Sequence, residues 1–233
     1  MLSITFLGHS AFVLTLPTGR RWALDPWISN PRCPARWARP ESLGVLDAIL
    51  LSHGHDDHAA DVPAIARATG APVVCGFEAG LHLRRLGVAR VQDMGIGGTL
   101  DLDGVRVTMT QALHSSSTTD RDRTAYLGAA AGFVLRAAGM PTIYYAGDTA
   151  LFGDMKVIGE LYRPDIAFLP IGDRYTMGPD TAAIAARWLG VKQVVPMHWG
   201  TFPVLTGTPA ELKAGLAGTA IDVLELEPGE TAT

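Results

Sequence analysis

The stretch LLSHGHDDHAAD, residues 50–61, packs three of the chain's seven histidines and two aspartates into the six positions 53–58. Burying a histidine or an aspartate without a partner is costly. Adjacent carboxylates also repel. A cluster of this kind is therefore a solvated turn, a helix cap or a metal site. Just before it, VLDAILLS reads as a continuous apolar strand of the sort buried on both faces. Just after it, DVPAIARATG reads as a helix that Gly70 and Pro72 close. The cluster stands where a buried strand ends and a loop begins.

On the N-terminal side, SITFL and AFVLTLP read as two short strands, and RRWALDP as a third ending at Asp25. The opening MLSITFLGHSAFVLTLP lacks a basic n-region, and His9 interrupts its apolar run, so a strand pair fits it better than a signal peptide. WISNPRCPARWARPESLG is rich in Pro and Arg and reads as a loop. Its exposed Trp27 and Trp37 suit a lid or an interface between copies of a homo-oligomer.

On the C-terminal side, APVVCG is a strand and FEAGLHLRRLG a helix with His82 on its surface. GTLDLDGVRVTMTQAL is a hairpin in which Val105, Val107 and Met109 alternate with Arg106, Thr108 and Thr110. HSSSTTDRDRTAYLG reads as a polar loop, and AGFVLRAAGMPTIYYAGD as a second hairpin ending at Asp148. RPDIAFLPIGD and KQVVPMH are buried strands, the latter ending at His198, with DTAAIAARWLG a helix between them. Thr208-Pro209-Ala210-Glu211 has the form of a capping box with proline at the first helical position. AIDVLELEPG closes the chain as a strand. Hairpins separated by helices, with no linker and no short-period repeat, indicate one α/β domain of mixed sheet over residues 1–233, its two halves alike in layout.

Composition narrows the function classes. The 233 residues are 48% hydrophobic and 18% charged, a globular balance. A net charge of −4 with both signs interspersed gives no nucleic-acid surface. No apolar run reaches about 18 residues, so no transmembrane helix is expected. Two cysteines, Cys33 and Cys75, are too few for a disulfide scaffold and fit a reduced, cytoplasmic protein.

His53, His114, Asp148 and His198 each end a strand, where α/β folds gather site residues. Imidazole and carboxylate suit Zn, with Mn, Fe or Ni as alternatives. His-x-His is not an i, i+4 helical pair, so His53 and His55 converge from a loop or strand. Asp57 and His58 point elsewhere and suit a second cation. His114 can complete the first set and His198 the second, with Asp148 as a bridge. Two cations about 3.5–4 Å apart would share a hydroxide and clamp a substrate oxygen. Asp25 is placed to orient a ligand histidine.

H-x-H-x-D-H, a distant histidine, the aspartate of AGDT and a final histidine resemble the signature of the metallo-β-lactamase superfamily. LGHSAFVL, DPWISNP, AYLGAAAGFVL, the run from IYYAGDT to DRYTMGP, and VVPMHWGTFPVL look like its small stand-alone metal-dependent hydrolases. That branch lies near the L-ascorbate-6-phosphate lactonases and the N-acylphosphatidylethanolamine phospholipases. The resemblance implies a four-layer αβ/βα sandwich of two mixed sheets. It implies His53, His55 and His114 on one metal and Asp57, His58 and His198 on the other, bridged by Asp148. Ala60 departs from the glycine of many relatives, and the extra domain of RNA-processing relatives is not seen.

The expected activity is hydrolysis of an ester, lactone or phosphodiester bond in a small molecule by a metal-bridging hydroxide. Asp57 or Asp148 would orient it, and His9 is a candidate for substrate or catalytic contact. Ser115 to Ser117 either meet a polar substrate or satisfy backbone groups, and Tyr175, Thr176 and Met177 form a loop. The alternatives are a mononuclear iron oxidoreductase of the persulfide dioxygenase kind and a non-catalytic metal-binding protein. His55, where di-iron oxygen-reducing relatives show Glu, argues for hydrolysis.

Overall fold

A computed structural model describes residues 1–120 and 123–233. In chain order it gives β1 (Ser3–Phe6), β2 (Phe12–Thr15), β3 (Arg21–Leu24), β4 (Ala48–Leu50), α1 (Asp56–Ala59), α2 (Val62–Thr69), β5 (Val73–Gly76), α3 (Phe77–Arg85) and β6 (Val91–Met94). There follow β7 (Thr99–Leu102), β8 (Val105–Gln111), β9 (Ser117–Asp120), β10 (Arg123–Tyr126), β11 (Ala131–Arg136), β12 (Ile143–Tyr145), α4 (Met155–Tyr162) and β13 (Ile166–Pro170). The last elements are α5 (Pro179–Leu189), β14 (Gln193–Met197), α6 (Pro209–Gly215), β15 (Asp222–Val223) and β16 (Thr231–Ala232). Two compact units share the chain: Met1–Gly95 with Ser115–Ala130 and Leu226–Thr233, and Ile96–His114 with Ala131–Glu225.

The first unit carries a seven-stranded mixed sheet in the order β16-β1-β2-β3-β4-β5-β6. β1, β2 and β3 pair antiparallel, and β3 to β6 pair parallel. β1 therefore runs in the same direction as β3 and β4. The residues after these three strands, His9, Asp25 and His53, fall at one edge of the sheet. β4 is buried throughout, as its unbroken apolar run requires. On α2, Val62, Ile65 and Ala66 repeat at helical spacing and are buried, and Gly70 ends the helix in the left-handed region at φ 70°.

The second unit repeats the plan with the order β15-β14-β13-β12-β11-β8-β7. β8 pairs antiparallel with β11, and β11 antiparallel with β12. β12, β13 and β14 are parallel. β8 thus runs with β12 and β14, and His114, Asp148 and His198 follow strands that end at the same sheet edge. β8 buries Val105, Val107 and Met109 as the alternation demands, but Thr108 and Thr110 are buried too, so its other face is also covered towards His114. Thr208 and Glu211 form the reciprocal capping box at the start of α6.

Several expectations change. Of AIDVLELEPG, expected as the closing strand, only Asp222–Val223 pairs, and the last strand is β16 beyond it. The segment read as a polar loop contains the hairpin β9–β10, a two-stranded sheet of its own. Its polar strands lack the apolar alternation that marks a half-buried strand. α4 stands in the stretch between Asp148 and Arg163, to which no element was assigned from sequence, and ends on Arg163 at φ 46° rather than on a glycine. Trp27 and Trp37 are half-buried, and Trp37 packs on the first unit's core.

Both thiols are protonated at ordinary pH. Burial pushes Cys75 up to about 12, with Asp93 adding to the effect, and Cys33 up to about 11, with Asp61 adding. Native protein at pH 8 is expected to resist iodoacetamide and to take up two equivalents once unfolded in urea, as mass spectrometry would show. A second prediction concerns Gly159 on α4. A Cβ there would lie 2.7 Å from the Trp188 carbonyl at the end of α5. Gly159→Val should cost about 2 kcal/mol in urea unfolding by forcing the helices apart.

Candidate metal centre

Within the first unit, the carboxylate of Asp25 organises the motif. It is fully buried at the end of β3. Oδ1 accepts from the Ser52 amide at 2.7 Å, and Oδ2 accepts from the Ser52 hydroxyl at 2.5 Å. Nδ1 of His58 lies 2.8 Å from Oδ2. The Ser52 hydroxyl in turn meets Nδ1 of His53 at 2.9 Å. A carboxylate only accepts, so His58 holds its proton on Nδ1, and His53 does the same by donating to Ser52. Nε2 of both rings is then the unprotonated nitrogen, the atom that a metal would take.

His55 is the residue before α1 and is held differently. Its Nδ1 lies 3.0 Å from His53 Nε2, and its Nε2 lies 3.3 Å from the Ser115 hydroxyl. Two imidazole nitrogens of opposite kind, Nε2 and Nδ1, thus meet at one point. The spacer allows this only as glycine. A Cβ at Gly54 would collide with the Leu127 side chain, and the Gly54 amide donates to Ser116 Oγ at 3.1 Å. Asp57 and His58 lie on the single turn α1 rather than on a loop.

His9 is fully buried, with Nε2 3.0 Å from Asp57 Oδ2 and its ring edge-on to Trp27 at 5.2 Å. His9, Asp57 and His58 each place a ligand atom within 4.8 Å of the others'. The turn bearing His9 is held by Asn30 of the Pro/Arg loop. Its amide donates to the carbonyls of Leu7 and Trp27, and Gly8 leaves room for its oxygen. The far side of that loop is clasped to the C-terminal segment through Arg32–Glu227 and Arg36 to the Gly229 carbonyl.

Within the second unit, the three expected ligands converge. Asp148 Oδ2 lies 2.9 Å from His198 Nε2 and 3.8 Å from His114 Nε2. One carboxylate oxygen thus faces two imidazoles. The Thr149 hydroxyl accepts from the Leu113 amide at 3.0 Å, tying the ends of β12 and β8 together. Gly172 lets the end of β13 lie against the His198 carbonyl, where a Cβ would collide. His9, Asp25 and His198 all take left-handed φ values, 57°, 38° and 57°, a cost borne where it aims a side chain.

The donor chemistry in both units fits divalent metals: imidazole nitrogens with fixed tautomers, and carboxylate oxygens beside them. Ser52, Asn30 and Gly54 are the functional residues that the sequence did not single out. A buried serine directly before His53 was the one available signal. His82, expected on the surface, is half-buried. Ser116 satisfies backbone groups, while Ser115 meets His55. Tyr175 is exposed and Met177 buried in their loop.

A family model described as a beta-lactamase superfamily domain matches residues 20–199. The chain belongs to the metallo-β-lactamase superfamily. Within it, the chain is 46% identical to a UPF0173 metal-dependent hydrolase of Koribacter versatilis, over 99% of this chain and 97% of that one. It is 47% identical to another of Rubrobacter xylanophilus, over 97% and 94%. It therefore belongs to the UPF0173 metal-dependent hydrolases. Among solved structures it is similar to Igni18, a metallo hydrolase of Ignicoccus hospitalis, at 35% identity and a TM-score of 0.87, covering 99% of this chain and 97% of that one. The fold of two mixed sheets with helices is the metallo-β-lactamase fold.

Removing the anchor tests this geometry. Asp25→Ala leaves the Ser52 amide, the Ser52 hydroxyl and His58 Nδ1 without their acceptor. A loss of about 3 kcal/mol in urea unfolding is expected, with an unchanged m value.

Proposed function

We propose that this superfamily member is a dinuclear metal-dependent hydrolase acting on an ester, lactone or phosphodiester bond of a small molecule. In this reading His53, His55 and His114 would hold one cation and Asp57, His58 and His198 the other, with Asp148 available to both. Residues 1–233 work as one hydrolase domain. Zinc suits these ligands best, with Mn, Fe and Ni also compatible. The observation that carries the reading is the placement of Asp148 Oδ2 within 3.8 Å of both His114 and His198 Nε2. The paired nitrogens of His53 and His55 support it.

When bound, such cations supply Lewis-acid polarisation and lower the pKa of water towards about 7. The chain's own part is positional. His9 holds Asp57 through its Nε2, so that the carboxylate keeps one orientation. Asp25, directly and through Ser52, holds two imidazoles in the tautomer that offers Nε2. His9 acts in this scheme as a positioning residue, buried away from solvent. The free thiols of Cys33 and Cys75 suit a reducing compartment such as the cytoplasm. No helix of the described residues is long and apolar enough to cross a membrane.

Elemental analysis tests the reading directly. Wild-type protein is expected to carry two divalent ions per chain, and His58→Ala one. His114→Ala, at a half-buried position, should also carry one and guards against a folding defect in the first variant. A single iron in wild type and variants alike would overturn the dinuclear hydrolase in favour of oxygen chemistry.

A further inference from the structure

The first unit contains a cavity of about 200 Å³ that lies beside the metal loop and shares Gly54 and Asp56 with it. Buried apolar groups line it, among them Leu51, Pro63, Leu83 and Leu127. Leu86, 45% exposed, belongs to the same lining. Apolar surface left open to water is unfavourable, and such surface beside a few polar groups is the usual form of a small-molecule site. Those polar groups are present. Asp56, Thr118, Thr119 and the half-buried His82 belong to the same lining.

Size and charge define the occupant. An apolar cavity of about 150 Å³ holds a benzene ring. The space here takes one six-membered ring with one or two further heavy atoms. Thr118 donates to Asp56 Oδ1 at 2.6 Å, and an ionised carboxylate has acceptor capacity for further donors. The hairpin β9–β10 that supplies Thr118 and Thr119 is joined to the motif through the Ser116–Gly54 hydrogen bond and the packing of Leu127 on Gly54. The α3 side chains Ala79, His82 and Leu83 have no part in the metal ligand set, yet they line this space.

We propose that this cavity is a second binding site, separate from the metal ligands, for a small aryl- or alkylammonium ion. The ring occupies the apolar space and the ammonium group donates to Asp56. The site does not depend on the hydrolase reading, because its test measures binding alone.

Benzylamine, benzyl alcohol and benzoate, titrated into the full chain and followed by 1H–15N NMR, separate the outcomes. Benzylamine should give saturable shifts at the amides of residues 79–86 and 116–127, benzyl alcohol weaker ones, and benzoate none. Asp56 is exposed, so Asp56→Asn should weaken benzylamine by only about threefold, towards the alcohol. Ala60→Phe, which places bulk on an exposed position of the lining, should abolish binding of both while leaving the thermal transition in place. Benzoate binding as well as benzylamine would overturn the charge assignment. Shifts confined to the loops bearing His114 and His198, or no saturable shift with any probe, would overturn the site.

Discussion

The buried carboxylate of Asp25 is the constraint on which the metal motif depends. It accepts three hydrogen bonds at the end of β3, and two of them reach a histidine, one directly and one through Ser52. A carboxylate out of water is tolerable only when its lone pairs are taken up in this way. The same bonds that make its burial affordable also decide which nitrogen of His53 and His58 carries the proton. The stability of the motif and the tautomers of its two imidazoles are therefore set by one group. His55 escapes this control and presents Nδ1 instead, held by Ser115.

Aiming of side chains has a backbone cost as well. His9, Asp25 and His198 occupy the left-handed region, which most residues avoid. Each stands directly after, or within a few residues of, a strand end, where the chain must turn sharply without wasting length. Asn30 and Gly8 brace the first of these turns, and Gly172 makes room for the last. The Pro/Arg loop, whose sequence suggested a lid or an interface, thus serves in part as a brace for His9, clasped at its far side by Arg32 and Arg36.

Much of this was legible in the residues, for physical reasons. β4 could be read because its burial on both faces forbids polar residues. α6 could be read because Thr208 and Glu211 satisfy each other's backbone groups, a local device. His53, Asp148 and His198 stood out because each follows such a strand. The β9–β10 hairpin was not legible, since its two polar strands pair only with each other. α4 hid because its interior glycine is explained only by the close approach of α5, a tertiary fact. His82 looked like surface because nothing local reveals that α3 borders a cavity.

The strand β16 has a consequence for the order of events in synthesis. It pairs with β1, and Thr231 meets Thr5 across 226 positions of chain. The Phe6 amide and carbonyl likewise bond Glu230 and Gly229. A ribosome delivers β1 more than two hundred residues before its edge partner. Through most of translation the outer edge of β1 offers unpaired amides and carbonyls, the kind of edge that recruits stray strands. The second unit, by contrast, has all its strands once residue 225 has emerged. The half of the protein that begins first is thus the half that closes last.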